Sequence, residues 1–269
     1  MDPILTIAGS DCSGGAGIQA DLKTIMAHGA YGMSVITALT AQNTTGVFGV
    51  RPVEPEWIGA QLDAVFTDIV PRAVKVGMIA DEAGVQAVAD KLRWYDAQLV
   101  VIDTILVSTS GTRLMKEKAL QRARKELFPL AALLTPNIPE AEVLAGISIG
   151  DEDAMQRAAK AIGEAYECAV LVKGGHRDGA ADDLLYDSGH FYWLRARRID
   201  NPNTHGTGCT LSAAAACNLA AGLSIPAALE KAKKYLTGAI LAGLDLGQGN
   251  GPLHHGYERN ENGCLIFNL

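Results

Sequence analysis

Residues 3–25 read PILTIAGSDCSGGAGIQADLKTI. The first six residues form an apolar, partly β-branched run, which predicts a buried strand. Residues 9–17 are rich in glycine and serine and predict a loop. Ile18, Leu22 and Ile25 then recur at the spacing of one helix face. A strand, a glycine-rich loop and a helix in this order predict the first unit of an α/β protein.

The same alternation continues along the chain. Further strands are predicted at residues 33–39, 47–53, 73–76, 99–102, 133–134 and 169–172, with amphipathic helical segments between several of them. Residues 183–186 and 190–194 flank a short turn, which predicts an antiparallel hairpin at one edge of a mostly parallel sheet. Two alanine-rich helices are predicted at 211–221 and 226–241. No repeat or linker divides the sequence, so we expect a single domain, residues 1–269.

The charge balance argues against a polyanionic partner. The chain has 23 Lys and Arg residues against 30 Asp and Glu residues, a formal net charge of -7. Because this net negative charge does not favour binding to nucleic acid or an anionic membrane, a small-molecule partner is expected. The N-terminus lacks a signal-peptide pattern and no apolar run is long enough to cross a membrane, which predicts a soluble cytoplasmic protein. Five widely spaced cysteines without a CxxC pair argue against a disulfide framework or a zinc site.

An anion site is predicted at Asn203-Thr204-His205-Gly206-Thr207-Gly208-Cys209-Thr210. The Gly-Thr-Gly turn leads into an alanine-rich helix, whose first N–H groups lack helical partners and whose dipole favours negative charge. The alternative is a tight turn capped by Thr207. Cys209 lies in the first helical turn, where the pKa of a thiol can be lowered; it is a candidate base or nucleophile, or else a small core residue. His205 also admits a Cys–His hydrolase, although spacing along the chain is no guide to such a pair.

Two common nucleotide-binding motifs are absent from the sequence. The loop at 9–17 lacks the GxGxxG spacing, and the strand at 33–39 ends without an acidic residue to hold a ribose, which argues against a NAD-dependent enzyme. No GxxxxGK segment followed by Ser or Thr occurs, which excludes a Walker-type P-loop. Asp11 in the first loop either faces a substrate hydroxyl or caps the turn.

Polar residues follow several predicted strands. Asp103, Asn137 and Lys173 each come directly after a strand or its short turn. Because the carboxyl ends of strands form the ligand crevice of an open α/β sheet, these groups are expected to converge with the anion site. Asn137 and Glu140, three residues apart, suit a magnesium ion or its waters; the alternative is an ordinary helix N-terminus.

Together these segments resemble the vitamin-kinase branch of the ribokinase-like superfamily, and most closely the hydroxymethylpyrimidine/phosphomethylpyrimidine kinases of thiamine biosynthesis. The resemblance is carried by residues 8–23, 37–44, 75–78, 135–141, 172–176 and 203–212. It implies a three-layer α/β/α sandwich, ATP and Mg²⁺ as cofactors, and a homodimer. It also implies two phosphoryl transfers, first to the hydroxymethyl oxygen of 4-amino-5-hydroxymethyl-2-methylpyrimidine and then to the resulting monophosphate.

The resemblance also implies roles for single residues. The residues expected at the pyrimidine are Gly9, Asp11, Gln42 and Met78, with Gln42 pairing a ring nitrogen or the amino group. Those expected at ATP are Lys173, Asn137 and Thr207, and those at magnesium are Asp103, Asn137 and Glu140. The catalytic anion hole would be formed by Gly206, Thr207, Gly208 and Cys209. Much of the superfamily has an aspartate base where this chain has Cys209, and we hypothesise that the thiol is the base.

The sequence departs from the family pattern in the loop after Asp103. Thr104 replaces a proline of many relatives, and Ser108-Thr109-Ser110-Gly111 lacks a frequent lysine. The position before Ser110 carries no cysteine, which counts against the alternative, a pyridoxal or pyridoxine kinase that traps an aldehyde with a second thiol. A non-catalytic sensor on the same fold is disfavoured by the retained Lys173 and glycine segment. His254 and His255 in the tail suggest a structural role.

Overall fold

The computed structural model describes residues 1–106, 115–175, 181–259 and 265–266. Its centre is a nine-stranded sheet in the order β3-β2-β1-β4-β5-β6-β7-β8-β9. The strands are β1 (Pro3–Asp11), β2 (Tyr31–Asn43), β3 (Gly46–Pro52), β4 (Ala73–Val76), β5 (Val100–Ile102), β6 (Leu133–Leu134), β7 (Ala169–Val172), β8 (Asp183–Asp187) and β9 (His190–Leu194). β10 (Glu258–Arg259) and β11 (Leu265–Ile266) pair with each other near the C-terminus.

The helices within these ranges lie between the strands. They are α1 (Gly17–Ala27), α2 (Pro55–Phe66), α3 (Glu82–Trp94), α4 (Glu117–Arg122), α5 (Ile138–Ala145), α6 (Glu152–Tyr166), α7 (Thr207–Ala220) and α8 (Ile225–Leu241). Across the described ranges, no helix combines the length and the apolar character that crossing a bilayer requires.

Helices cover both faces of the sheet. Strand side chains alternate between the faces, so that Ile4 of β1 belongs to the apolar cluster that α7 and α8 share, whereas Leu5 belongs to the cluster on the other side, which includes α2, α3 and α6. Both side chains are fully buried. The predicted three-layer α/β/α sandwich is therefore confirmed.

The directions of the strands follow the predicted pattern at one edge and add to it at the other. β1, β2 and β4 to β7 run parallel to one another, and β8 and β9 form the predicted antiparallel edge. β3 is also antiparallel to β2, which the sequence pattern does not predict. β2 continues past Leu39 to Asn43, and because its last residues include exposed ones, the apolar pattern stops before the strand does.

A second difference lies between β5 and β6. Helix α4 continues into a π-helical turn, Ala123–Leu127, and a 3₁₀ turn, Phe128–Leu130, none of which the sequence analysis predicts. This segment packs its apolar residues on the α3 side of the sheet and brings no predicted site residue to the crevice.

Candidate active site

The carboxyl ends of the parallel strands meet at one edge of the sheet, and most of the predicted site residues lie there. Those at the ends of these strands, or just beyond them, are Gly9, Asp11, Gln42, Met78, Asp103, Asn137 and Lys173. Helix α7 begins at Thr207 above the same edge. Ser108–Gly111 and His176, which belong to the segments discussed above, lie outside the described residues.

The turn before α7 has the geometry that its glycines allow. Gly206, at the N-cap, has φ +85°, a left-handed conformation that favours glycine. A Cβ on Gly206 would collide with the carbonyl oxygen of Gly15, so the turn also touches the first loop. The first turn of α7 contains no acidic residue. A helix N-terminus without an internal counter-charge suits an anion.

Lys173 and Asp103 form an ion pair beneath this turn. The Lys173 Nζ lies 2.7 Å from Asp103 Oδ1, which also accepts a hydrogen bond of 3.2 Å from the Thr135 hydroxyl. Burial alone would lower the pKa of Lys173, but the carboxylates of Asp103 and Glu140 raise it above its ordinary value. A Cβ on Gly208 would lie 3.1 Å from Asp103 Oδ2 and 3.4 Å from Lys173 Nζ. Lys173, which keeps its positive charge, therefore lies against the start of α7.

Asn137 and Glu140 form a capping box at the start of α5. The Glu140 N–H donates to Asn137 Oδ1 and the Asn137 N–H donates to Glu140 Oε2, both at 2.9 Å. Glu140 also accepts hydrogen bonds from the Thr104 hydroxyl and the Leu106 N–H. Burial raises the pKa of Glu140, with Lys173 opposing the rise. The helix-terminus alternative thus accounts for the contacts that the structure shows, and direct magnesium ligation by Asn137 and Glu140 stays a prediction.

Asp11 is buried inside the first loop. Its Oδ1 accepts from the N–H and hydroxyl of Ser13, and its Oδ2 accepts from the N–H groups of Gly15 and Ala16 and from Nε2 of His205. Burial by itself would raise the pKa of Asp11, but these hydrogen bonds lower it to about 2. The carboxylate is used in shaping the loop, as in the turn-capping alternative, and its contact with a substrate stays a prediction.

Gly9, Met78 and Gln42 lie around the open end of β1. A Cβ on Gly9 would lie 2.6 Å from Met78 Cε, so this thioether occupies the space that glycine leaves. The Met78 side chain packs with Ala38 and Ala80. One of the two terminal atoms of the Gln42 amide lies 3.3 Å from Nε2 of His205. The structure brings an apolar wall and one amide together, as a small heterocycle requires.

Cys209 differs from the expectation of a lowered pKa. It is buried in the first turn of α7, and burial raises the pKa of its thiol to about 11, although Lys75 opposes the rise. Desolvation outweighs the helix N-terminus here, and at neutral pH the thiol is therefore protonated.

The sequence does not predict a buried ion pair that lies behind the site. Lys75 on β4 is fully buried, and its Nζ lies 2.7 and 2.9 Å from the two carboxylate oxygens of Asp21 on α1. The Thr6 hydroxyl donates to Asp21 Oδ2 at 2.5 Å. A signal was available: Asp21 falls on the same helix face as Ile18 and Ile25 and should be buried. A buried carboxylate requires a cation.

His255 also contacts the anion-site helix. The Thr210 hydroxyl donates its hydrogen to the Gly206 carbonyl oxygen at 2.8 Å. Nε2 of His255 lies 3.0 Å from the Thr210 hydroxyl oxygen and must therefore be the donor in that contact. Burial lowers the pKa of His255 to about 4, which keeps the ring neutral. These contacts agree with the structural role suggested for the tail.

Comparisons with known proteins agree with this arrangement. The sequence model of the phosphomethylpyrimidine kinase family matches residues 11–254. A hydroxymethylpyrimidine/phosphomethylpyrimidine kinase of Streptomyces coelicolor is 49% identical over 258 residues, which cover 96% of each chain. The crystal structure of phosphomethylpyrimidine kinase from Clostridium difficile 630 is 46% identical, with a TM-score of 0.80, and the match covers 89% of this chain and 100% of that one.

A pyridoxal kinase has a similar structure. The ADP complex of Bacillus subtilis pyridoxal kinase superposes with a TM-score of 0.87 at 37% identity, covering 95% of this chain and 97% of that one. The family sequence model and the Streptomyces coelicolor kinase nonetheless each match almost the whole chain, including the strand ends and the turn before α7. The chain therefore belongs to the phosphomethylpyrimidine kinase family.

Proposed function

We infer that the protein phosphorylates 4-amino-5-hydroxymethyl-2-methylpyrimidine to its monophosphate and then to its diphosphate, with ATP as the donor, in thiamine biosynthesis. The observation that carries this inference is the contact of the Gly208 turn with the Lys173–Asp103 pair. It places a half-buried cation beside a helix N-terminus at the strand ends, the edge of the sheet where Met78 also lies. Phosphoryl transfer depends on such positioning and charge stabilisation more than on covalent chemistry.

Local charge has to attract the phosphates because the chain as a whole is acidic, with a net charge of -7. Lys173 and the first N–H groups of α7 would hold the oxygens of the transferring group, with Thr207 and Asn137 beside them. Lys173 keeps its charge because two carboxylates raise its pKa. The ADP-bound pyridoxal kinase with a similar fold supports a nucleotide in this crevice.

Asp103 is the residue that best fits a magnesium ion. Lys173 and Thr135 both bind its Oδ1, whereas Oδ2 faces the α7 turn. No group of three or more His, Cys, Asp or Glu residues in the described part of the chain could hold a metal, and Mg²⁺ is commonly bound by one or two carboxylates together with substrate phosphates. When bound, Mg²⁺ would neutralise charge on the phosphates. Glu140, held by its capping box, would act through water.

A pyridoxal or pyridoxine kinase is the alternative, and structural similarity to the Bacillus subtilis enzyme favours it. The family match and the absence of a cysteine before Ser110 favour the pyrimidine. Purified protein incubated with ATP, Mg²⁺ and the hydroxymethylpyrimidine should give the pyrimidine mono- and diphosphate by mass spectrometry, and the same incubation with pyridoxine is the comparison. A higher kcat/KM for pyridoxine, or a product that stops at one phosphate, would contradict the proposal.

The anion hole has a matched pair of variants. Gly208→Ala places a methyl group 3.1 Å from Asp103 Oδ2, in the path of the phosphoryl group, and should lower kcat at least about tenfold, as losses in such holes do. Gly150→Ala is the control, since its added methyl group meets nothing within 4 Å. Equal activity of the two variants would contradict the assignment of the anion hole.

We also propose that the protein acts as a homodimer that pairs through edge strand β3. Among the strands that the structure describes, β3 pairs with β2 alone, and exposed Phe48, Val50 and Leu39 lie on these two strands. Natural sheets rarely leave an apolar edge uncovered, because it invites association.

A further inference from the structure

His205 joins three segments that lie far apart in the sequence. Its Nε2 lies 2.9 Å from Asp11 Oδ2 and 3.3 Å from one of the two terminal atoms of the Gln42 amide. A Cβ on Gly15 would collide with the imidazole, and Pro252 packs beside the same glycine. The imidazole is 11% exposed, so packing fixes the orientation of its ring.

Asp11 decides which ring nitrogen of His205 carries hydrogen. An ionised carboxylate only accepts hydrogen bonds, and the other four bonds to Asp11 all come from donors in the first loop. The low pKa of Asp11 keeps it ionised at neutral pH. Nε2 of His205 must therefore bear a hydrogen, in the neutral ring and in the imidazolium alike.

This hydrogen also decides how the Gln42 amide is turned. The oxygen and nitrogen of a side-chain amide are told apart by their hydrogen-bond partners. An N–H of Gln42 cannot face the N–H of His205, so the atom 3.3 Å from Nε2 is the amide oxygen, which shares the single Nε2 hydrogen with Asp11 Oδ2 as the longer branch of a three-centre bond. The Gln42 NH₂ group then points away from His205.

We propose that His205 is a positioning residue for substrate choice: it holds the Gln42 oxygen and so presents the Gln42 NH₂ to the heterocycle as a donor. This inference rests on the proposed function, which places the heterocycle beside Gln42. A donor selects a ring nitrogen with a free lone pair. Aminopyrimidines offer one, whereas the dipolar form of pyridoxine carries a proton on its ring nitrogen and offers a donor in return. The pair of donors would repel, so the pyrimidine is preferred.

The test compares the two compounds in three proteins. The ratio of kcat/KM for the hydroxymethylpyrimidine to kcat/KM for pyridoxine should fall about tenfold in His205→Leu, which frees the amide to turn and removes the worth of about one hydrogen bond. His205→Gln, whose amide nitrogen can replace Nε2, should restore the ratio to within about threefold. A merely structural role would lower both values by the same factor, and an unchanged ratio in His205→Leu overturns the proposal.

Two further measurements cover the cases in which His205→Leu does not fold or the proposed function fails. Gln42→Glu presents an acceptor alone and should shift the ratio toward pyridoxine; a shift the other way contradicts the inference. A neutron structure of the unliganded wild-type protein shows the amide directly. Deuterium on the Gln42 atom facing away from His205 supports the inference, and deuterium on the facing atom overturns it. If wild-type protein phosphorylates neither compound, the proposed function fails and the neutron result alone decides the inference.

Discussion

Cys209, the proposed proton acceptor, is almost entirely in its thiol form at neutral pH. A general base has to be ionised to accept a proton, and burial raises the pKa of this thiol to about 11. At pH 7 the thiolate fraction is on the order of one part in ten thousand. If Cys209 is the base, turnover should follow the thiolate population.

The pH dependence of turnover tests this role. Because the basic form is the active one and the pKa lies near 11, log kcat should rise with pH from 7 to 9 with a slope near one. Cys209→Asp, whose carboxylate is already ionised at pH 7, should remove that slope. Cys217→Ala, in the same helix but buried in the core, is the control and should keep it.

Two outcomes would contradict the assignment of Cys209 as the base. One is a flat wild-type profile, and the other is nearly full turnover in Cys209→Ser. Neither would affect the anion hole, which depends on the backbone of Gly206 to Gly208 and on Lys173.

At the scale of elements, the Lys75–Asp21 pair fastens strand β4 to helix α1 behind the site. Both side chains are fully buried, so water cannot solvate either charge if the other is removed. The pKa of Lys75 is raised, since the neighbouring carboxylates, Asp21 foremost, outweigh the effect of burial. The Lys75 cation is therefore retained at neutral pH, whereas burial raises the pKa of Asp21 against the opposing charge of Lys75, so the pair is weakened by acid first.

Removing one partner should be costly. Asp21→Asn leaves the Lys75 cation buried without a counter-charge and should lower the free energy of unfolding by about 3–5 kcal/mol. The exposed pair Lys160 and Glu164 supplies the control, and Lys160→Met should change stability by less than about 0.5 kcal/mol. Urea unfolding measures both. A similar loss of unfolding free energy in the two variants would show that the buried pair stabilises the protein no more than a surface ion pair does.

The comparison with the sequence also belongs to this scale. The β1–loop–α1 unit and the β8–β9 hairpin are predictable because strand alternation, helix spacing and turn residues are local signals. The ion pair of Lys75 and Asp21 joins residues 54 positions apart, and no local pattern names a partner at that distance. The capping box of Asn137 and Glu140 could be foreseen as one of two alternatives, but only the geometry shows that both side chains are already engaged.

The raised pKa of Cys209 illustrates the same limit. Its place in the first turn of a helix is visible in the sequence and favours a thiolate. How deeply α7 is buried against the sheet is a property of the assembled layers, and that burial reverses the direction of the shift.

For the molecule as a whole, the exposed edge strand β3 predicts the oligomeric state. Phe48 is 70% exposed on a strand with one free edge. Phe48→Asp should convert a dimer into a monomer, because a charge at the centre of an apolar interface would lose its water. Trp94, 79% exposed at the end of α3, supplies the control, and Trp94→Asp should leave the dimer intact.

Light scattering coupled to size exclusion gives the mass of each species. Wild-type protein and Trp94→Asp should show twice the chain mass, and Phe48→Asp should show the chain mass. A wild-type monomer would contradict the dimer, and a dimeric Phe48→Asp would place the interface elsewhere.

The hydrogen bond from His205 to Asp11 has a consequence for biosynthesis. It joins residues 194 positions apart, and His205 in turn pairs with Pro252. On the ribosome, the strands from β1 to β7 can form before His205, the distant partner of Asp11, has been made. The first loop then lacks its hydrogen bond to His205 until almost the entire polypeptide has emerged. Contacts of this span close slowly, so the ability to catalyse should arise as one of the last events of folding.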